Sequence, residues 1–320
     1  MSPGRRTVVI GLLVAAGLAL GAGTSRGGGR SVVLGVSGDP ARFAALTGQA
    51  SQTRMLFLGW GQGLSYGSPF AALFQTMGAK PMLALTANLP RGGSISPRQV
   101  ATGSGDGYLV ALNHAIHAWA KPIYVRPFPE MNGHWQPYCA YNTNGTKRDS
   151  SHTTALFRAA FARIYEIVHG GPRVNRVLAA LGQPPVRSPL DTNTNVEVIW
   201  NPQGAGSPDV PGNSAAAYYP GDSYVDVVGD DVYDIRFNPD WSDAEALYAA
   251  HPSKPFAFPE WAPWDIDDPG FVSHMATFVK AHGRVELISY YSGRPASLFD
   301  LAKKPKTLAA YRKLIPPLGR

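Results

Sequence analysis

Short apolar runs rich in β-branched residues alternate along the chain with segments whose apolar residues recur at helical spacing. The runs predict eight strands, at residues 31–36, 54–60, 80–87, 121–128, 195–201, 224–233, 254–260 and 284–291. Between them the pattern predicts helices at 40–50, 69–77, 106–119, 152–169, 242–250, 268–281 and 306–314. Eight strands separated by helices predict an α/β fold, a (β/α)8 TIM barrel that forms a single catalytic domain.

The connection between the fifth and sixth runs is the least typical of such a barrel, because SAAAYYP offers only a stub of helix. A doubly wound open sheet is the alternative fold. Its phosphate-binding turn is missing, since Gly59, Gly61 and Gly63 do not have the G-x-G-x-x-G spacing. We therefore predict one barrel domain over 31–320, with an insertion near 170–194.

The N-terminal segment has a different composition. Arg5 and Arg6 precede an uncharged apolar run at 7–23, which is the layout of a secretory signal. We predict a signal peptide over 1–25, a Gly-rich linker over 26–30 and a secreted protein. The apolar run is close to membrane-spanning length, so an uncleaved anchor with the barrel facing outside is the alternative.

Charge is distributed unevenly along the 320 residues, whose net charge is +7. Residues 1–30 hold four cations and residues 303–320 hold six, in both cases without an acid, so the net charge of 31–302 is −3. A nucleic-acid binder would carry a basic stripe on its folded body, and we expect no such partner.

The single cysteine, Cys139, excludes an intramolecular disulfide and a cysteine metal cluster. We expect a monomer that uses no metal and no other cofactor.

Two glutamates stand where predicted strands end. Glu130 closes the fourth run in RPFPEMNGHW, and Glu260 closes the seventh in KPFAFPEW. Strand ends form the active face of a (β/α)8 barrel, and a carboxylate is costly at a buried position. Two facing carboxyls are the minimum for glycoside hydrolysis: one protonates the leaving oxygen, and the other attacks the sugar or activates water. The alternative is that each glutamate belongs to an ion pair, for example with Arg126.

Aromatic residues cluster at the same strand ends, where their rings can stack on sugars. Any one of them is more often a core residue, so the clustering is the informative feature. From this cluster we predict six substrate contacts: Trp135, Trp200, Tyr233, Trp261, Trp264 and Tyr290.

These motifs resemble glycoside hydrolase family 26, the β-mannanase-like barrels, over most of 31–300. RPFPEMNGHWQPY (126–138) is similar to the family's strand-four motif, and YYPGDSYVDVVGDDVYD (218–234) to its strand-six signature. KPFAFPEW is similar to the strand-seven segment that ends in the nucleophile. The resemblance implies a retaining hydrolase of β-linked polysaccharide with a β-1,4-mannan-type substrate, in which Glu130 is the general acid/base and Glu260 the nucleophile. It also implies that substrate-site residues include Arg126, Asn132, Trp135, Asp231 and Tyr233.

The sequence departs from the family at Pro129, where the family has a histidine before the acid/base. His134 either compensates in part or is an ordinary loop residue. The alternatives are therefore a barrel that binds carbohydrate without turnover and a β-glucanase-like or xylanase-like specificity. A metal-dependent hydrolase is disfavoured because the eight histidines show no ligand spacing. The segment GVSG (35–38) is not the G-x-S-x-G of a serine hydrolase.

Overall fold

The eight apolar runs form parallel strands that pair in sequence order and close into a barrel, with the last strand beside the first. The structure is a computed structural model that describes residues 31–319. It confirms the predicted (β/α)8 architecture. The strands are β1 Val33–Ser37, β2 Thr53–Leu58, β3 Met82–Leu85, β4 Ile123–Pro127, β5 Val196–Trp200, β6 Val227–Asp234, β7 Phe256–Pro263 and β8 Val285–Tyr291.

Helices surround the barrel and begin where short polar side chains cap them. Asp39, Thr153 and Asp268 each accept a hydrogen bond from a backbone N–H of the first turn that follows. The α-helices are α1 Pro40–Thr47, α2 Phe70–Gln75, α3 Pro97–Ala101, α4 Asp106–Trp119, α5 Thr154–His169, α6 Val174–Ala180, α7 Ala215–Tyr218, α8 Trp241–Ala250, α9 Pro269–Ala281 and α10 Pro305–Leu314. Short 3-10 helices lie at Pro211–Asn213, Asp222–Tyr224, Leu301–Lys303 and Pro316–Gly319.

Helix α4 has the bounds that its apolar pattern predicts, and the other predicted helices differ from the observed ones by a few residues at their ends. The predicted insertion at 170–194 contains α6. The stub predicted from SAAAYYP is the four-residue helix α7. The connection from β5 to β6 is therefore mostly irregular chain, and it is free to reach over the strand ends.

Apolar side chains form two layers around the barrel strands. The larger cluster packs between strands and helices, and a smaller one fills the barrel interior. The interior residues are Met55, Met82, Ala84, Tyr124, Ile199, Val227, Ala257 and Leu287. Because the interior is filled, the barrel is a packed core rather than a pore, and space for a ligand lies at the ends of the strands.

Within residues 31–319, no helix is both long and apolar enough to cross a bilayer. The predicted signal peptide and linker, residues 1–30, lie outside the described part of the chain.

Candidate active site

A cleft of about 740 Å³ lies at the carboxyl ends of the strands. Its lining is acidic: six carboxyl side chains border it, and among the described lining residues there is no lysine, arginine or histidine. The six are Glu130, Asp230, Asp231, Asp240, Asp243 and Glu260. The two glutamates predicted from the sequence therefore share one cavity.

A bulge in β7 sets the direction of Glu260. Between Ala257 and Glu260, β7 has three steps where the paired segment of β6, Gly229 to Asp231, has two. The bulged segment contains Pro259, which has no backbone N–H to donate to a neighbouring strand. A bulge of this kind reorients the side chain that follows it and is common beside active sites. Glu260 consequently faces the cleft while it remains buried, with 7% of its surface exposed.

Glu260 is held by one cation and one phenol. Arg126, on β4 and fully buried, donates to Oε1, and the hydroxyl of Tyr233 donates to Oε2 at 2.7 Å. Arg126 also pairs with Asp231 and donates from Nε to Asn201 Oδ1 at 2.8 Å. Burial opposes the charge of the guanidinium, but Asp231 and Glu260 outweigh it and raise the pKa of Arg126. Arg126 therefore stays cationic beneath the cleft.

Tyr233 stays a neutral donor. Burial, reinforced by Glu260 and Asp231, raises the pKa of its phenol well above the ordinary value. A charge-assisted bond from a neutral hydroxyl to a carboxylate is strong. Glu260 thus has a donor on each carboxylate oxygen.

Glu130 lies just beyond β4 on a strained turn. Phe128 and Glu130 both have positive φ, at 51° and 54°, which is uncommon for residues other than glycine. Phe128 is fully buried and stacks on Tyr138 with ring centroids 4.7 Å apart. The backbone N–H of Glu130 donates to the carbonyl of Asn201 at 2.7 Å, which ties the turn to the end of β5. Packing and this bond together hold a backbone conformation that the local sequence disfavours.

Three neutral N–H groups surround the Glu130 carboxyl. Trp135 Nε1 and Gln136 Nε2 donate to Oε2 at 2.9 and 3.2 Å, and Gln203 Nε2 donates to Oε1 at 2.6 Å. Burial and the nearby charge of Glu260 nevertheless raise the pKa of Glu130, against the lowering effect of its donors and of Arg126. The surroundings of Glu130 therefore favour the protonated form of its carboxyl.

Two more of the predicted aromatic residues lie in the cleft with usable faces. Trp135 and Trp264 line it and have 49% and 41% of their surface exposed. Asp231 also lines the cleft. Its side chain is fully buried, and Oδ1 accepts no hydrogen bond from the described residues.

Three of the aromatic residues that we predicted as substrate contacts do not lie in the cleft. Trp200, Trp261 and Tyr290 are fully buried and line no part of the cleft. Side chains alternate between the two faces of a strand, and these three follow residues that point into the barrel, so they point out toward the helices. Trp261, for example, follows Glu260 and stacks on Tyr311 with ring centroids 5.7 Å apart.

Asn132 is also absent from the cleft lining. It is fully buried and hydrogen-bonds the backbone of Gln203 in both directions. His134 contacts Ser207 through Nδ1 at 3.2 Å and the ring of Trp135 at 5.2 Å between centroids. It therefore neighbours Trp135 and does not line the cleft. Pro129, which stands in the place of the family histidine, does line the cleft, and its carbonyl accepts the hydroxyl of Tyr138 at 2.6 Å.

Several cleft residues were not singled out as site residues from the sequence. Tyr291 and Phe299 pack edge to face beside Tyr233, and Phe57 lines the wall next to Tyr291 with 42% of its surface exposed. The signal for Tyr291 was its position at the end of a strand. Gln203, which directly follows the WNP segment (200–202) at the end of β5, gave a weaker signal, since any polar residue just past a barrel strand is a candidate.

Histidine, cysteine and carboxylate side chains do not come together as a metal site anywhere in residues 31–319: no group of three or more is suitably placed.

Comparison with known proteins supports the resemblance found in the sequence. A model of glycosyl hydrolase family 26 matches residues 191–281, a stretch that contains Asp231, Tyr233 and Glu260. Over this stretch the chain is similar to glycosyl hydrolase family 26. The resemblance found in the sequence is thereby confirmed. Glu130 and Pro129 lie outside the matched stretch.

Solved family 26 structures have the same fold. A family 26 β-mannanase from Bacteroides ovatus superposes with a TM-score of 0.58 at 16% identity, covering 90% of this chain and 89% of that one. An endo-β-1,4-mannanase double mutant from Cellulomonas fimi gives a TM-score of 0.60 at 16% identity, covering 91% of this chain and 74% of that one.

The two curated relatives are longer proteins than this chain. Endoglucanase H of Acetivibrio thermocellus is 22% identical over 300 residues, which is 88% of this chain and 30% of that protein. A mannan endo-1,4-beta-mannosidase of Bacillus subtilis is 30% identical over 146 residues, or 44% of this chain and 31% of that protein. The chain thus spans about 30% of the length of these relatives.

Proposed function

We propose that this protein hydrolyses β-linked polysaccharide, with β-1,4-mannan as its preferred substrate, by a double displacement that retains anomeric configuration. The observation that carries the proposal is that two carboxyls of one cleft have different hydrogen-bond partners and different electrostatic surroundings. Glu260 has an arginine and a tyrosine on its oxygens, whereas burial and Glu260 itself raise the pKa of Glu130. The choice of mannan rests on the relatives, several of which are mannanases by name.

In the first step a carboxylate oxygen of Glu260 attacks the anomeric carbon. The bond from that carbon to the glycosidic oxygen breaks, and the departing oxygen takes the proton of Glu130. In the second step a water attacks the same carbon while Glu130 accepts a proton from it. The bond to Glu260 then breaks, which restores both carboxyls to their starting states.

The remaining groups suit an uncharged sugar chain. Trp135 and Trp264 offer exposed aromatic faces for stacking. An acidic cleft without a lining cation repels polyanions such as uronate polymers. The substrate is therefore a neutral polysaccharide.

The test is a panel of β-mannan, xylan, mixed-linkage β-glucan and carboxymethyl cellulose, with the release of reducing ends as readout. Wild-type protein should act best on mannan, and time-resolved NMR should show the β-anomer as the first product. Glu130→Gln and Glu260→Gln should both lose activity on the preferred substrate. Glu245→Gln, which changes an exposed glutamate of α8 outside the cleft, is the matched control. Activity near that of the wild type in either cleft variant would contradict the proposal.

A carbohydrate-binding barrel without turnover is the second candidate, and Pro129 in place of the family histidine favours it. Such a barrel would bind one of the polysaccharides in affinity electrophoresis and release no reducing ends from it. If NMR showed the α-anomer as the first product, the enzyme would be inverting.

We also propose that the protein is exported, since residues 1–25 have the layout of a signal peptide. N-terminal sequencing of protein from the medium of the producing cells should find a start near residue 26. A start at residue 1 in a membrane fraction would indicate the uncleaved anchor.

A further inference from the structure

Gln203 reaches the Glu130 carboxyl from a different part of the barrel than its other donors. Trp135 and Gln136 belong to the loop that follows Glu130 itself, and both donate to Oε2. Gln203 belongs to the loop after β5, and its amide donates to Oε1 at 2.6 Å across 73 residues of sequence. Among the described residues, Gln203 is therefore the one side chain that donates a hydrogen bond to Oε1 from the loop of another strand.

The backbone of Gln203 is fixed by a buried side chain. Asn132 Nδ2 donates to the Gln203 carbonyl at 2.8 Å, and the Gln203 N–H donates to Asn132 Oδ1 at 2.8 Å. Asn132 is fully buried, so breaking either bond would strand a buried polar group. Its own carbonyl accepts a further bond from Asn213 Nδ2 at 2.8 Å.

A second buried group holds the next residue of the loop. Asp230 is 2% exposed and accepts the backbone N–H of Gly204. A Cβ at Gly204 would lie 2.4 Å from Cβ of Asp243, so the loop packs directly on α8. The backbone of Gln203 and that of the residue after it are thus anchored, which restricts where the Gln203 amide can lie.

The distribution of donors determines where Glu130 can carry its proton. Each carboxylate oxygen has two lone-pair sites. Trp135 and Gln136 occupy both sites of Oε2, whereas Gln203 occupies one site of Oε1 and leaves one open. The transferable proton therefore belongs on Oε1, at the site that Gln203 leaves free.

Other charged and titratable groups also act on Glu130 from the elements around it, and none of them donates to Oε1. They are Glu260, Arg126, Asp231, Tyr138, Tyr233 and Tyr291.

We propose that Gln203 is a positioning residue for the general acid/base: its amide holds Oε1 of Glu130 so that the proton on this oxygen faces the glycosidic oxygen. This inference rests on the proposed function, because it assigns Gln203 to the step in which Glu130 protonates the leaving group. Asn132 and Asp230 support it by fixing the loop that carries the amide.

Three variants test the proposal. Gln203→Leu keeps the approximate size of the side chain and removes the donor. Gln203→Glu replaces the donor by a second carboxylate. Gln75→Leu makes the same change on the exposed face of α2 and serves as the control.

The first readout is the basic limb of the kcat/KM profile, which reports the acid in the free enzyme. Loss of the donor should move this limb up by about one pH unit in Gln203→Leu, and the added carboxylate should move it further in Gln203→Glu. The control should match the wild type. A limb that does not move in either variant would overturn the proposal, because a merely structural role does not predict this order.

The second readout is the dependence on the leaving group. Gln203→Leu should lose roughly 10-fold to 100-fold in kcat/KM on polysaccharide, whose leaving oxygen needs a proton. It should lose much less on a dinitrophenyl glycoside, whose leaving group departs without one. Equal losses on both substrates would overturn the assignment to proton transfer.

The proposal remains testable if no polysaccharide is hydrolysed. The chain has six glutamates, so selective carbon-13 labelling gives few side-chain carboxyl signals, and Glu130→Gln identifies that of Glu130. Its titration should shift upward in the order wild type, Gln203→Leu, Gln203→Glu. An inactive wild type with this order contradicts the proposed function alone, whereas an unchanged titration contradicts the role of Gln203.

Discussion

The two glutamates of the cleft have opposite surroundings. Glu260 is buried on a strand, and its oxygens accept from a guanidinium and a phenol. Glu130 is partly exposed on a strained turn, and its oxygens accept from an indole and two amides, none of which carries charge. One carboxyl is bound to a fixed positive charge, and the other is bound only to dipoles.

The difference shows how one fold can give two carboxyls different roles. A neighbouring cation compensates the charge of a buried carboxylate, whereas dipoles hold the geometry of a carboxyl and leave burial and the second carboxylate free to raise its pKa. In Glu130 the net effect is a raised pKa.

Removing each carboxyl should have the largest effect and should separate their roles. Glu260→Ala and Glu130→Ala should each lose roughly 10⁴-fold or more in kcat on polysaccharide. With an aryl glycoside and azide, Glu260→Ala should give the inverted glycosyl azide, because azide replaces the nucleophile. Glu130→Ala should give the retained one, because azide attacks the glycosyl enzyme. Chromatography and NMR identify the products, and the same anomer from both variants would contradict the assignment.

Removing the cation should cost stability as well as activity. Arg126→Met leaves Asp231 and Glu260 buried without their partner, and we expect the free energy of unfolding to fall by about 3–5 kcal/mol. Arg98→Met, at an exposed arginine of α3, should change it by no more than about 0.5 kcal/mol. Urea denaturation at pH 7 measures both. Equal stabilities would mean that the buried pairs do not depend on Arg126.

Removing one donor from each glutamate should give unequal, smaller losses. Tyr233→Phe deletes the hydroxyl that donates to Glu260 at 2.7 Å, and kcat/KM should fall about 10-fold to 100-fold. Trp135→Phe deletes one of three donors to Glu130 and should cost less than about 10-fold, because two remain. Steady-state kinetics on the preferred polysaccharide compares them. A larger loss of kcat/KM in Trp135→Phe than in Tyr233→Phe would contradict this prediction.

The smallest expected effect is a pH-dependent change in stability at Asp234, a carboxyl that has neither a cation nor a side-chain amide as partner among the described residues. Burial and the neighbouring Asp268 raise the pKa of Asp234 to about 6, above the value of about 3.9 for an unfolded chain. The native state therefore binds the extra proton, and its stability falls as pH rises from about 4 to about 6. Asp234→Asn should melt about 2–4 °C above the wild type at pH 7.5 and together with it at pH 4.

Differential scanning calorimetry at both pH values tests this, with Asp209→Asn, at an exposed position, as the control. A difference in melting temperature that is the same at both pH values would show that the charge of Asp234 is not its cause.

The sequence by itself determined the barrel, its strand order and the place of both glutamates. Strand and helix periodicities are local, so the pattern gave eight strands within a few residues and one helix, α4, at its observed bounds. The position of Glu130 and Glu260 at strand ends is equally local, because the strand ends can be counted along the chain. Their catalytic roles stay predictions until the variants are assayed.

Only the tertiary structure decided which side chains enter the cleft. Trp200 and Trp261 stand beside strand ends like the aromatic residues that do line it, but the face of a strand on which a residue lies depends on register and bulges set by neighbouring strands. The contact of Gln203 with Glu130 joins residues 73 positions apart. No local pattern encodes such a contact, because it exists only when the barrel brings the ends of β4 and β5 together.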